Sequence, residues 1–160
     1  MKKLLFLFLS ATLLSGIACK KYEDGGTHFD AGGHLLGIWT FQQFTINGVN
    51  SMYLLDQFLH EGGAITVEKG NGWGDSPVFR AGSPYCIYAG RLELQDHRSI
   101  LHFGQHTVDS FHTFNSSSID PFALGNQKWE ILELKSSEIK LRLKDETNSK
   151  EYIIVWHEYH

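Results

Sequence analysis

Residues 139–144 alternate apolar and basic side chains without a break, as Ile139-Lys140-Leu141-Arg142-Leu143-Lys144. A period of two puts the aliphatic side chains on one face of an extended chain and the cations on the other. Such a segment is a β-strand with one face in a core and one in water. Trp129-Glu130-Ile131-Leu132-Glu133-Leu134 precedes it across the polar loop Lys135-Ser136-Ser137-Glu138, and Asp145-Glu146-Thr147-Asn148-Ser149 turns the chain into a third strand at 151–157. In that last strand Tyr152, Ile154 and Trp156 share one face, and Ile153, Val155 and His157 the other. Three strands joined by short turns form an antiparallel meander.

Earlier segments follow the same pattern less regularly. Strands are expected at 37–46, closed by the turn signal Asn47-Gly48, and at 64–69, 76–80, 85–95 and 99–103. Asp96-His97-Arg98 turns the chain between the last two. The one helix candidate is 51–60, where Tyr53, Leu54, Gln57 and Phe58 supply a short apolar face. Residues 104–127 read as a long polar loop containing Phe111, Phe114 and Phe122. Seven or eight short antiparallel strands within 35–160 make one all-β domain, a small up-and-down barrel with one short helix. Strand number alone does not separate that barrel from a sandwich.

The first nineteen residues have a different character. Lys2 and Lys3 form a basic head, residues 4–14 an apolar run, and Ser15-Gly16-Ile17-Ala18 leads into Cys19. The run is too short for the ~20 residues a transmembrane helix needs and fits a secretory signal peptide. Residues 1–18 resemble a bacterial lipoprotein signal, which implies cleavage before Cys19 and acylation of its thiol. Gly16 stands where such signals usually carry Leu, and cleavage at an ordinary A-x-A site is the competing reading. Residues 19–34, rich in glycine and charge, read as a flexible tether. The expected partner is thus a membrane, reached through the N-terminal lipid, and the expected address is the cell envelope, at the outer membrane.

Leu36-Gly37-Ile38-Trp39 at the head of the first strand resembles the G-x-W start of lipocalins. Trp129-x-Ile131 followed by Ile139-x-Leu141-x-Leu143 is similar to the closing hairpins of lipocalin-like lipoproteins of the Bacteroidetes type. The run Cys19-Lys20-Lys21-Tyr22-Glu23-Asp24-Gly25 resembles the mature start common in that uncharacterised family. The resemblance implies a fold and an address rather than an activity. It also implies that Trp39 plugs the closed end of the barrel.

Charge and cysteine usage exclude more than they assign. The chain has 14 Lys plus Arg against 18 Asp plus Glu, and loss of Lys2 and Lys3 with the signal takes its formal charge from −4 to −6. With no basic stripe, nucleic acid is not the expected partner. Lipidation of Cys19 leaves Cys86 without an intramolecular partner, and its apolar surroundings make it a buried small hydrophobe. His97, His102, His106 and His112 lie close in sequence, with His157 and His160 at the end. A zinc site needs three or four converging ligands; Gly104 interrupts the His102-x-x-x-His106 spacing on a helix, so scattered surface histidines are expected and no metal or cofactor. Nucleophile-elbow, zincin and phosphate-loop motifs are missing, and no catalytic residue is nominated.

Aromatic residues are the remaining signal. Trp39, Phe41, Phe44, Trp73, Phe79, Tyr85, Tyr88, Phe103, Trp129, Tyr152 and Trp156 fall on or beside strands. They either fill the barrel or line a cup for a small apolar ligand. The expectation is a non-enzymatic lipid-anchored protein binding a small hydrophobic ligand in its barrel, with ligand-binding residues unassigned. The alternative is a filled barrel that docks onto a membrane or surface complex through an apolar patch around Phe111, Phe114 and Phe122.

Overall fold

The computed structural model describes residues 21–26, 31–55, 64–70, 77–81, 88–108 and 128–160, with side chains outside the description at 81, 88, 89 and 104–108. In chain order the elements are β1 (Gly25–Gly26), α1 (Ala31–Leu35), β2 (Gly37–Ile46), β3 (Val49–Asn50), β4 (Ala64–Glu68), β5 (Val78–Ala81), β6 (Tyr88–Gln95), β7 (Ile100–Val108), β8 (Lys128–Leu134), β9 (Glu138–Asp145) and β10 (Lys150–Glu158). From β4 onward each strand pairs antiparallel with the next, β2 pairs with β4, and β10 returns to pair with β2. The result is a closed eight-stranded up-and-down barrel.

Alternation carries the core inward. Tyr152, Ile154 and Trp156 of β10, and Ile139, Leu141 and Leu143 of β9, all join one buried cluster with Trp39, Phe44, Phe79, Phe103 and Trp129. Register shifts adjust the phase, in β2, in β8 and between Ala89 and Arg91 of β6. In β2, Gln42 is the extra residue between Phe41, opposite Trp156, and Gln43, opposite Val155, so both Phe41 and Phe44 reach the core. In β8, Leu132 is extra between Ile131 and Glu133, and Ile131 and Leu134 both join the cluster.

The helix expected at 51–60 is described only in its first half. Met52–Leu55 is a single 3-10 turn that buries Leu55, and 56–60 fall outside the described residues. Among the described residues the α-helix is α1, inside the expected tether, despite Gly32 and Gly33. Ala31 and Leu35 are both fully buried, and that burial overrides the weak helix propensity of the glycines. The Trp39 indole N–H donates to the Leu35 carbonyl at 3.0 Å, tying the helix to the start of β2. Strand β7 also continues through 104–108, into the stretch read as loop, because it pairs with β6 up to Tyr88 opposite Val108.

Residues 21–26 are not solvated spacer either. They form a strap down the outside of β8, where β1 pairs in parallel, Gly25 opposite Glu133 and Gly26 opposite Leu134. The Asp24 N–H donates to the Leu132 carbonyl at 2.8 Å. Tyr22 is buried and its hydroxyl donates to the Arg98 carbonyl at 2.7 Å. Lys140 Nζ reaches Asp24 at 2.5 Å, and Arg142 bridges Glu23 at 3.1 Å and Glu130 at 2.8 Å. The hydrogen bonds to Glu130 hold the Arg142 guanidinium above its ordinary pKa. Backbone pairing at β1 requires glycine, since Gly26 has φ +85° and a Cβ there would stand 2.0 Å from the Leu134 carbonyl oxygen.

Candidate functional site

Two regions present chemistry beyond packing. The first is the barrel interior. Trp156 sits between Phe41 and Phe103 in edge-to-face contacts, with ring centroids 5.9 and 6.0 Å away, and Phe103 meets Phe79 at 5.3 Å. Phe44 stacks on Tyr152 at 6.2 Å. Burial raises the Tyr152 hydroxyl's pKa, with Asp145 adding in the same direction. The core cluster leaves out Glu133, which is the buried charged side chain among the described residues and lies opposite Gly25 of β1. It does contain two orphaned donors, for the indole N–H groups of Trp129 and Trp156 are buried without an acceptor. A buried donor left unpaired costs about 1–3 kcal/mol, and native proteins rarely tolerate one without a reason.

The second region is a cleft of about 560 Å³ at the end of the barrel that α1 covers. Leu92 and Leu94 of β6 form its floor, with Leu36 and Pro77 beside them and Gly32 and Gly33 of α1 as one wall. Leu92 belongs to the core and Leu94 packs against it, so the floor is continuous with the barrel interior. The polar lining among the described residues is Lys69, just past β4, and Arg98, in the turn between β6 and β7. That turn is strained: Asp96, His97 and Arg98 have φ of 45°, 54° and 68°, a region that costs non-glycine residues about 1–3 kcal/mol each. Ser99 supports it by donating to the Asp96 carbonyl at 2.7 Å, and Tyr22 supports it from the strap. Burial pushes the Tyr22 hydroxyl up to about 12, against the opposing pull of Arg98.

Four of the described histidines lie in separate pairs. His102 Nδ1 lies 3.3 Å from Glu93, whose pKa is lowered chiefly by that bond, and His157 pairs with Glu138. His97 lies 3.5 Å from Asp96, and His160 lies 3.8 Å from Glu158. Among the described residues no three metal-ligating side chains converge. The side chain of His106 and all of His112 lie outside the described residues, as do Cys19, Cys86, Trp73, Tyr85, Phe111, Phe114, Phe122 and the side chain of Tyr88. Sequence reasoning missed Lys69 and Arg98. They come from different turns, and only barrel closure brings them to one cleft.

No protein-family model matches this chain, and neither the curated proteins nor the solved structures searched contain a match.

Proposed function

We propose that this is a non-enzymatic, lipid-anchored protein of the cell envelope that binds a small hydrophobic ligand within its barrel, in the manner of lipocalin-like lipoproteins of the Bacteroidetes type. The observation that carries the reading is the pair of buried indole donors, Trp129 and Trp156, inside an interior packed with aromatic side chains. A ligand with an apolar body and one oxygen acceptor satisfies such a donor and offsets its desolvation. The closed barrel supports the reading, since eight strands enclose either packed side chains or one small ligand. Acylation at Cys19 supplies the anchor: each buried methylene contributes about 0.8 kcal/mol, and several chains hold a protein stably on a bilayer.

The test is native mass spectrometry of residues 19–160 carrying Cys19→Ser, purified from the host, with bound small molecules extracted and identified. A stoichiometric ligand whose removal shifts the Trp129 and Trp156 indole N–H resonances supports the proposal; an empty protein with unchanged resonances sinks it. Membrane partitioning of the Cys19→Ser chain tests the anchor separately, and persistent membrane association counts against lipidation. A second reading, the filled barrel that docks onto a membrane or surface complex, draws on the complete burial of Trp39, Phe44, Phe79 and Phe103 beside the two orphaned indoles.

A further inference from the structure

We infer that the barrel takes up its ligand through the seam between β7 and β8, and that the N-terminal strap is the bolt across that seam. The inference deepens the reading of a ligand-binding interior and rests on it. Among the described residues β7 pairs with β8 only at Ile100, Leu101 and His102, opposite Glu130, Trp129 and Lys128. This is the shortest seam of the barrel among those residues, although β7 is nine residues long and β8 seven. On their other sides both strands are held over longer stretches, β7 by β6 from Tyr88 to Gln95 and β8 by β9 from Glu130 to Leu134. A sheet closed on itself parts where its ladder is shortest, because fewest hydrogen bonds break there. Leu101 and Trp129 are opposed across this seam and both are fully buried, and the Trp129 indole N–H is one of the two orphaned donors. Parting β7 from β8 therefore brings an entering molecule first to Trp129.

The strap crosses the same seam beyond its last pair. The Ile131 N–H donates to the Ser99 carbonyl at 2.8 Å, and β7 begins only at Ile100, so β8 runs on past the head of its neighbour. The strap takes the neighbour's place. Tyr22 donates to the carbonyl of Arg98, in the turn that leads into β7, while the Asp24 N–H bonds the Leu132 carbonyl and Gly25 and Gly26 pair with Glu133 and Leu134. Glu23 and Asp24 carry the hold on to Arg142 and Lys140 of β9. One short segment thus ties the head of β7 to the end of β8. Its ion pairs are partly exposed, where each contributes little, so the strap is a bolt that local opening can draw without unfolding the barrel.

The test uses residues 19–160 with Cys19→Ser and follows hydrogen exchange at the Trp129 indole N–H by NMR, a readout that needs no ligand. Gly26→Ala, which lifts the strap, is expected to speed that exchange about tenfold, the weight of a lost hydrogen bond. The backbone amides of β10, paired on both sides to β2 and β9, should exchange as before. A second variant closes the seam. His102 and Lys128 are directly opposed on β7 and β8, and residues so placed stand within disulfide reach. His102→Cys with Lys128→Cys, once oxidised, is expected to slow the indole exchange about tenfold even in the Gly26→Ala background, and reduction should restore it. With 1-naphthol as the probe, an apolar body carrying one oxygen, the staple should slow binding and release alike and leave affinity unchanged. Indole exchange indifferent to both variants, or naphthol entry at the same rate through a stapled seam, overturns the route while leaving the interior reading standing. Equal speeding of the β10 amides overturns it too, since the barrel then loosens as a whole. Failure of naphthol to bind counts against the interior reading, and the indole exchange still decides the seam.

Discussion

Gly26 and Gly48 offer a matched pair of perturbations. Both have positive φ, +85° and +77°, so alanine carries a similar conformational cost at each, about 1 kcal/mol. Their surroundings differ. Around Gly48, which follows Asn47 at φ 50° in the turn between β2 and β3, nothing lies within 4 Å of an added Cβ. At Gly26 the same atom would stand 2.0 Å from the Leu134 carbonyl oxygen and 2.8 Å from its carbon. That carbonyl belongs to β8, which is held by pairing to β9 at Leu134 opposite Ile139, so it cannot withdraw. Relief has to come from β1, and the strap lifts.

Lifting forfeits at least the Asp24 N–H bond to the Leu132 carbonyl, worth about 1 kcal/mol net. Gly26→Ala is therefore expected to lower unfolding free energy by about 2 kcal/mol, and Gly48→Ala by about 1 kcal/mol. Urea titration measures both, with the midpoint shift read at constant slope. Amide exchange supplies the local readout: the Asp24 N–H loses its protection in Gly26→Ala and keeps it in Gly48→Ala. If Gly26→Ala is no more destabilising than Gly48→Ala and Asp24 stays protected, β1 is not seated on β8, and the account of the strap given above is wrong.

Other outcomes follow from the same contacts. The Tyr22 hydroxyl titrates at about 12 in the folded chain against 10.0 when unfolded. Its contribution is thus fully present below pH 10 and lost as pH rises from 10 to 12, a loss on the order of 2 kcal/mol; wild type should lose that much more than Tyr22→Phe over this window in alkaline denaturation. Trp156→Ala removes a fully buried ring between Phe41 and Phe103 and should cost about 3–5 kcal/mol by urea unfolding. Arg142→Gln should cost under about 1 kcal/mol because Glu130 and Glu23 are 45% and 61% exposed. That difference should shrink in 1 M salt; a larger cost that salt does not change would point to packing by the arginine stem instead.

The strands were legible because burial on one side of a sheet writes itself into sequence with a period of two. Ile139 to Lys144 shows it most cleanly, and each of its alternate residues lies where the pattern puts it. Bulges hide the signal. Phe41 and Phe44 are three apart, an interval that a straight strand would send to opposite faces, and Gln42 reconciles them. Helix α1 was illegible because Gly32 and Gly33 argue against a helix and only the burial of Ala31 and Leu35 decides in its favour. The strap reads as spacer for the same reason: its composition is polar, and what docks it is one tyrosine, one glycine at φ +85° and partners 76 to 119 positions away. Such contacts have no local signature. Lys69 and Arg98 belong to this class, since each is an ordinary turn cation until the barrel closes.

The docked strap changes what a lipid at Cys19 does to the protein. A free tether of residues 19–34 spans up to about 50 Å at 3.3–3.6 Å per residue, enough to let the barrel tumble clear of the headgroups. With Tyr22 buried against the Arg98 turn, only three residue steps separate Cys19 from a fixed point on the barrel, a reach of about 11 Å. The acylation proposed at Cys19 would then hold the side of the barrel beside β8 within that distance of the bilayer surface. Energy transfer from a fluorophore at position 97, in the exposed turn beside Arg98, to acceptors in the headgroup layer reads this directly. The acylated form proposed above should give, on vesicles, a short, narrowly distributed distance, and Gly26→Ala, by freeing the strap, a longer and broader one. Identical distributions for the two proteins would mean that the strap does not set the barrel's height.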